Sequence, residues 1–420
     1  MNGGAPADVR IVIDPGSHAV LNLGDIAMLQ VAVRRLLELW PSAWIDVLTT
    51  RPDALARHCP DVHPLPAAGR YGWLADDARG ARAALVRVAR LGNGGPLAQR
   101  RSMRAESAIR GLGAEVRAYL DALASADLFA ISGRGGMTDA FPEETLAVAD
   151  ELETAARLGV PAALLGQGVG PLDDPGLRER TARALPGAGA IAVREARLAC
   201  RLLGELGVAR SRIAVTGDDA IELAFAARPE RPAATGLGLS MRDSPASGMG
   251  GQLEAVGASI RTVARRLGTH VVAVPISLYP GSEDAATIGR MLGAPPSEID
   301  DPAGAIAAAG GCRAVVSSAY HAALFAAAQG VPVVALVTSP YYEGKMGGLR
   351  DAFGAGVTLV RTDQPALRRR LEEAIDFAWN TPADERQRML AAAERQVAAG
   401  TEAYRRLRDL VAAPVATVRT

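Results

Sequence analysis

Short apolar segments rich in β-branched residues alternate with longer helical patterns along this chain. The apolar segments predict strands at residues 10–13, 44–48, 128–132, 162–165, 190–193, 213–215, 236–240, 270–275, 314–317, 332–337 and 357–360. Helical patterns separate them, for example at residues 25–39, 116–124, 194–206, 253–266 and 322–328. Alternation of this kind favours parallel pairing, because each helix carries the chain back to the start of the next strand. The sequence therefore predicts an α/β fold with mostly parallel sheets and helices on both faces.

The length and one proline-rich stretch predict two domains. A chain of 420 residues corresponds to two domains at about 100–200 residues each. The stretch 226–234 is rich in proline and charge, and a new strand follows it directly. We therefore expect an N-terminal domain at 1–226, a linker at 227–233, a C-terminal domain at 234–364, and helices with a tail at 365–420. The region 70–102 has no clear strand and is interpreted as an insertion or a mobile loop over the cleft.

Charge and residue spacing exclude several classes of protein. The 46 basic and 46 acidic residues balance, which argues against a nucleic-acid or anionic-membrane partner. The uncharged stretch 314–342 is interrupted by polar residues, glycine and proline, so we predict no transmembrane segment. The three cysteines and five histidines show no disulfide or metal-ligand spacing, and the polar N-terminus shows no signal-peptide pattern. We expect a cytoplasmic protein without a metal or cofactor; its oligomeric state is not indicated.

Polar and glycine residues follow the predicted strands of the first domain. In open α/β sheets, ligands bind outside the carboxyl ends of the strands, near helix N-termini. Asn22, Gly24 and Asp25 open the helix after the first strand. Gly24 would let a ligand approach the backbone, and Asp25 suits the first turn of a helix. A helix cap without a ligand explains the same spacing, so both interpretations stay open.

A glycine-rich turn follows the third predicted strand. Arg134, Gly135 and Gly136 are typical of a loop whose backbone N–H groups bind an anion, and the Arg134 guanidinium would add charge. A tight turn without a ligand has the same pattern. The motif is neither a Walker A sequence nor a complete G-x-G-x-x-G, so it indicates no particular nucleotide. Gln167 and Arg194 follow two further strands and complete the candidate binding residues of this domain.

Two cations follow predicted strands of the second domain. Arg242 comes directly after the strand at 236–240, and its fork of donors matches a carboxylate or a phosphate. Tyr342 and Lys345 follow the strand at 332–337, where the ammonium group of the single lysine in this chain would suit a phosphate. A surface salt bridge for Arg242 and an ordinary first-turn lysine are the alternatives.

His321 is the best acid/base candidate in the sequence. Together with Ser318 and Tyr320 it forms the junction between an apolar strand and a helix, and such a junction faces the cleft. Histidine titrates near neutral pH, which suits proton transfer. A histidine satisfied within the core is the alternative interpretation.

Taken together, these motifs resemble the polysaccharide pyruvyl transferase family from about residue 9 to about residue 360. No single motif is specific to this family, but the joint order and spacing of the motifs are. The motifs are Asn22-x-Gly24-Asp25-x-Ala27, Ser132-Gly133-x-Gly135-Gly136, Gly166-Gln167-Gly168-Val169-Gly170-Pro171, Val193-Arg194-Glu195, Leu239-Ser240-Met241-Arg242, His321 followed by Gly330-Val331-Pro332, and Tyr342-x-x-Lys345.

The resemblance implies a fold and an activity. It implies a GT-B-like architecture, in which two Rossmann-like domains face each other across a cleft, with the acceptor on the N-terminal side and the donor on the C-terminal side. It also implies transfer of pyruvate from phosphoenolpyruvate to a sugar hydroxyl pair, as a ketal. By this resemblance His321 is the acid/base, Arg242 is the anion clamp, and Lys345 stands where the family places a basic residue.

One position departs from the family pattern. The family usually has Ser-x-Arg-aromatic-His before the histidine, and this chain has Ala319 in place of the arginine. The resemblance associates that arginine with phosphoenolpyruvate binding, and losing such a partner would cost about 2–5 kcal/mol. Either Arg134 supplies the missing charge, or the donor differs.

Three functions remain open from the sequence. The first is a pyruvyl transferase with a rearranged donor site. The second is a GT-B glycosyltransferase that uses a nucleotide-sugar donor. The third is a non-catalytic binding protein on a degenerate fold, which the presence of His321, Arg242 and Lys345 argues against. In the first two, the partners are a small anionic donor and a sugar acceptor.

Overall fold

Two β-sheets with helices between their strands form the part of the chain that the computed structural model describes, residues 9–75, 85, 95–230, 235–243 and 248–412. The first sheet comprises β1 (Arg10–Asp14), β2 (Trp44–Thr49), β3 (His63–Pro66), β4 (Leu128–Ile131), β5 (Ala162–Gln167), β6 (Ala190–Val193) and β7 (Ile213–Val215). Its strand order is β3-β2-β1-β4-β5-β6-β7, and all neighbouring strands are parallel. The helices that accompany it are α1 (Leu23–Leu39), α2 (Pro52–His58), α3 (Ala67–Leu74), α4 (Pro96–Arg110), α5 (Ala114–Ser125), α6 (Pro142–Leu158), α7 (Pro175–Ala184), α8 (Ala199–Glu205) and α9 (Ile221–Ala226).

The second sheet follows the same plan. Its strands are β8 (Gly236–Ser240), β9 (Val271–Ala273), β10 (Cys312–Ser317), β11 (Val333–Val337) and β12 (Val357–Arg361), in the parallel order β12-β11-β10-β8-β9. The helices are α10 (Leu253–Leu267), α11 (Asp284–Leu292), α12 (Pro302–Gly310), α13 (Tyr320–Ala328), α14 (Pro340–Phe353), α15 (Leu367–Trp379), α16 (Ala383–Arg405) and α17 (Leu407–Ala412). The predicted α/β fold with parallel sheets is therefore confirmed. Of the proposed linker, residues 231–233 lie outside the described part.

One strand was missed and one predicted helix begins later than expected. The strand β3 was not predicted, because its four residues include two prolines, which the chain tolerates only at the edge position that β3 occupies. The helix predicted at 194–206 begins only at Ala199, because the Glu195 carboxylate accepts hydrogen bonds from the N–H groups of Leu198 and Ala199 and so caps a shorter helix.

The ends of the region 70–102 are helical rather than loop. Residues 70–74 belong to α3 and residues 96–102 to α4, while 76–84 and 86–94 lie outside the described part. Arg70 is buried because its guanidinium contacts Asp14 at 2.9 Å and Glu151 at 2.7 Å. Arg70 therefore ties α3 to β1 and α6.

One hydrophobic core joins the two sheets. It contains Ile11 and Leu23 from the first half of the chain, Phe325 from the second half, and Met389 from α16. The last long helix also returns to the first half, where the Tyr404 hydroxyl donates to the Asp219 carboxylate at 2.7 Å. Among the described helices, none combines the length and apolar character that crossing a membrane requires.

Candidate active site between the two sheets

A cavity of about 330 Å³ opens between the two sheets at the carboxyl ends of their strands. All of the predicted site residues line it except Gly24 and Gln167. Those that line it are Asn22, Asp25, Arg134, Gly135, Gly136, Arg194, Arg242, Ser318, Tyr320, His321, Tyr342 and Lys345. The rule that ligands bind outside the carboxyl ends of the strands thus selects residues from both halves of the chain, and these residues meet in one place.

Several lining residues were not predicted as binding residues. They are Gly16, Ser17, Phe141, Glu144, Ile276, Tyr279, Ala319 and Tyr341. Gly16 and Ser17 come just after the end of β1, so the same rule could have indicated them. Tyr279 lies in the segment after β9, four residues beyond the strand predicted at 270–275, so the same rule applied to this strand could have indicated it. There the Leu23 N–H donates to the Ile276 carbonyl at 2.9 Å and joins the two halves.

His321 stands in the first turn of α13 with 6% of its surface exposed. Its Nε2 lies 3.5 Å from Oδ2 of Asp218, a buried carboxylate that follows β7. The same oxygen lies 2.8 Å from Nε of Arg194. Burial raises the pKa of Asp218, but the charge of Arg194 and the contact with His321 outweigh it and lower that pKa below its ordinary value. Asp218 is therefore ionised at neutral pH.

Gly24 and Gln167 have structural roles next to the cavity. A Cβ atom on Gly24 would lie 1.9 Å from Cγ of His321, so this position has no room for a side chain. Gln167 is fully buried, and its amide donates to the carbonyl oxygens of Ile131 at 3.0 Å and Leu165 at 3.3 Å. Neither residue lines the cavity.

Arg242 is held at the cavity wall by groups of its own half of the chain. Its Nε lies 3.4 Å from Oδ1 of Asp284, and its backbone N–H donates to the Ser318 hydroxyl at 3.0 Å. Burial raises the pKa of Asp284, against the opposing charge of Arg242 and hydrogen bonds from two backbone N–H groups. Within the described part of the chain, Nη2 of Arg242 is buried without a hydrogen-bond partner.

Lys345 has aromatic rather than acidic neighbours. Its Nζ lies 5.1 Å from the centroid of the Tyr320 ring and 3.4 Å from the hydroxyl of Tyr341. Among the described residues, no carboxylate lies within 4 Å of this ammonium group. Burial lowers the pKa of Lys345 to about 8, and the nearby charges of Arg194 and Arg242 act in the same direction. An anion in the cavity would find this cation without a competing partner.

Arg134 lines the same cavity as Ala319 but has an acidic partner. Its guanidinium pairs with Glu144, and its side chain passes across Gly16, where a Cβ would lie 2.4 Å from Cδ of Arg134. The structure thus brings Arg134 into the cavity, as the compensation hypothesis requires. Glu144 offsets part of the charge that a donor would encounter.

No group of three or more His, Cys, Asp or Glu side chains within the described ranges is placed to hold a metal ion.

Two parallel α/β sheets that face a cationic cavity at their carboxyl ends define a GT-B-like fold. Solved structures show the same fold at low sequence identity. A putative UDP-N-acetylglucosamine 2-epimerase from Listeria monocytogenes is 14% identical, with 96% of each chain covered and a TM-score of 0.56. The UDP-GlcNAc 2-epimerase from Neisseria meningitidis, bound to UDP-GlcNAc, is 13% identical, covers 96% of this chain and 100% of its own, and has a TM-score of 0.54. UGT2 from Phytolacca americana, complexed with UDP-2fluoro-glucose and pterostilbene, is 12% identical with the same coverage and TM-score.

The amino-acid sequence itself assigns the chain to a family. The family model named "Polysaccharide pyruvyl transferase" matches residues 22–340, which is more than half of the chain. The chain belongs to the polysaccharide pyruvyl transferase family, and it is a transferase. A sequence comparison with curated proteins gave no match.

Proposed function

We propose that this protein transfers pyruvate from phosphoenolpyruvate to a pair of sugar hydroxyls, forming a cyclic ketal. The observation that carries this proposal is the convergence of Arg194, Arg242 and Lys345 on the cavity that contains His321. Phosphoenolpyruvate has a phosphate and a carboxylate on one small carbon frame, so it needs several cations close together. We also propose that the protein is cytoplasmic and that its acceptor is a sugar.

In the proposed reaction, His321 acts first as an acid and then as a base. His321 donates a proton to the methylene carbon, which leaves an oxocarbenium-like centre at C2 beside the carboxylate. Two sugar hydroxyls form bonds to C2, and the bond from C2 to the phosphate oxygen breaks. Of the two hydroxyl protons, one replaces the proton that His321 gave to the methyl group and the other leaves with the phosphate. The surrounding cations stabilise the phosphate as it leaves.

The size of the cavity supports a small donor. Its volume of about 330 Å³ is at the low end of the roughly 300–1,000 Å³ that is usual for small-molecule sites. Phosphoenolpyruvate is much smaller than a nucleotide sugar, so the present cavity suits it better.

Ala319 favours a second candidate, a glycosyl transfer from a nucleotide-sugar donor. Ala319 lines the cavity at the position where the family pattern has an arginine for phosphoenolpyruvate. The glycine turn at Gly135 and Gly136 could bind a diphosphate as readily as an enol phosphate. Two proteins of similar fold are known with UDP-containing ligands, the Neisseria epimerase and the Phytolacca UGT2.

Thermal denaturation with each donor distinguishes the two candidates. A ligand present at 100 times its dissociation constant stabilises the folded state by about 2.7 kcal/mol. We expect phosphoenolpyruvate to raise the melting temperature, and a panel of UDP- and dTDP-sugars to have no effect. Inorganic phosphate at the same concentration is the control for non-specific anion binding. A shift with nucleotide sugars and none with phosphoenolpyruvate would reject pyruvyl transfer.

A further inference from the structure

A buried carboxylate of the N-terminal half contacts the proposed acid/base of the C-terminal half. Asp218 follows β7 of the first sheet, and His321 begins α13 after β10 of the second. Their closest atoms, Oδ2 and Nε2, are 3.5 Å apart. Oδ1 of Asp218 accepts a hydrogen bond from the Ala220 N–H at 2.9 Å. This bond restricts the rotation of the carboxylate.

The histidine ring is contacted by two groups from the first half of the chain. Gly24 in the first turn of α1 packs on one part of the ring, at Cγ and Nδ1. Asp218 meets the ring at Nε2. Groups from α1 and from the segment after β7 therefore contribute to the orientation of the His321 ring.

We propose that Asp218 is a positioning residue for His321, holding the proton on Nε2 so that Nδ1 exchanges a proton with the substrate. This proposal rests on the proposed acid/base role of His321. His321 gives its proton to the methylene carbon and recovers one from a sugar hydroxyl, while Asp218 stays ionised throughout. A carboxylate on one imidazole nitrogen fixes the tautomer and stabilises the protonated ring.

Other charged and titratable groups line the cavity together with His321. Asp25 of α1, Arg194 after β6, Arg242 after β8 and Lys345 of α14 line the same cavity, and Tyr320 precedes it on α13. Among the described carboxylates, Asp218 is the one within 4 Å of a His321 ring nitrogen. Asp218 is therefore the described anionic group placed to act directly on this ring.

Asp218 also pairs with Arg194, so a purely structural role must be separated from positioning. The chain offers a matched control in the next residue. Asp219 is equally buried, but its carboxylate binds Arg35 at 2.8 Å and Tyr404 at 2.7 Å. Asp218→Asn and Asp219→Asn thus make the same chemical change one residue apart, with only the first in contact with His321.

Steady-state kinetics give the first readout. For Asp218→Asn we expect kcat to fall by about 10²–10⁴-fold, the usual contribution of general acid–base catalysis, with a smaller change in the donor KM. The alkaline limb of the kcat profile should move to lower pH by about one unit or more, because the charge that favours the imidazolium is gone. Asp219→Asn should keep the profile of the parent protein. An unchanged profile in Asp218→Asn, or the same displacement in both variants, would overturn the proposal.

Nitrogen NMR gives a second readout that needs no donor. The chain has five histidines, and His321→Gln identifies the His321 signals in ¹⁵N-histidine-labelled protein. We expect the neutral ring of His321 to be in the Nε2–H form in the parent protein and in Asp219→Asn, and to lose this preference in Asp218→Asn. An Nδ1–H tautomer in the parent protein would overturn the proposal even if Asp218→Asn does not fold. If these signals are as expected but no pyruvyl transfer occurs, only the proposed function fails.

Discussion

Gly24 lies against the imidazole of His321, so close that a Cβ at Gly24 would come within 1.9 Å of Cγ and 2.0 Å of Nδ1. The two residues open helices of different sheets, α1 and α13. The first turns of two helices therefore meet at the cavity, and the lack of a side chain on one allows the ring of the other to reach it.

Gly24→Ala should displace the His321 ring. Contacts under 3.0 Å cannot persist, so either the imidazole or the first turn of α1 must move. We expect kcat to fall by about tenfold or more, since small displacements of a catalytic group are costly, while the protein stays folded. The matched control is Gly204→Ala, because a Cβ at this helical glycine meets no atom within 4 Å. Equal kcat values for the two variants would contradict the close packing.

His321→Gln should fold normally and lose most of its turnover. Glutamine keeps hydrogen-bonding capacity but cannot transfer a proton near neutral pH, and such a loss costs about 10²–10⁴-fold in rate. His270→Gln, at an exposed histidine, is the control. Turnover close to that of the parent protein would reject the assigned role, with the melting temperature of both variants showing that the fold is retained.

Arg134→Ala tests whether this residue replaces the family arginine that is absent at Ala319. If it does, the donor KM should rise by about tenfold or more, equivalent to about 1.4 kcal/mol or more of lost binding. We expect the effect to be moderate, because Glu144 already pairs with the guanidinium. Arg369→Ala, on the exposed surface of α15, controls for loss of net charge. An unchanged donor KM would exclude compensation by Arg134.

Donor binding should weaken above pH 8 because of Lys345. Its pKa of about 8 means that its ammonium group is charged below that pH and is lost as the pH rises through it. If donor binding requires this charge, the KM should rise by up to about tenfold for each further pH unit. Lys345→Arg keeps the positive charge across this range and should remove the rise. Donor KM values measured from pH 6.5 to 9.5 for both proteins check this; parallel curves would contradict it.

Tyr404→Phe should destabilise the protein without changing its kinetics. The hydroxyl of Tyr404 donates to the buried carboxylate of Asp219, which Arg35 also contacts. Removing a hydrogen bond to a buried charged group costs about 1.5–3 kcal/mol. Urea denaturation should show this loss in the free energy of unfolding, with kcat and the donor KM unchanged. A loss of under about 0.5 kcal/mol, the usual limit for surface substitutions, would show that Arg35 alone satisfies Asp219.

Local patterns were sufficient to predict the strands of both sheets except β3, and much of the cavity wall. Each strand–helix unit is encoded by its own hydrophobic period, and a strand end locates its polar residues without knowledge of the rest. Arg194 and Arg242 were found in this way, although they belong to different sheets.

The sequence could not predict how the two halves are docked. Asp218 follows a strand like many other residues, and only the docked structure shows that its carboxylate meets a ring nitrogen of His321. At Gly24 the sequence left open the approach of a ligand, whereas in the structure the ring of His321 packs against this glycine. Contacts between residues that are about 100 and 300 positions apart in the chain depend on packing that no local pattern records.

The core that extends from Ile11 through Phe325 to Met389 has a consequence for engineering this protein. One way to change the acceptor of a two-domain transferase is to replace one of its halves with the corresponding half of a related protein. Here the first 226 residues alone would expose the apolar faces of α1 and α9 and leave Asp219 without Tyr404. Chimeras joined at the predicted linker should therefore aggregate unless they also carry the matching terminal helix, so recombination needs two junctions, one before β8 and one before α16.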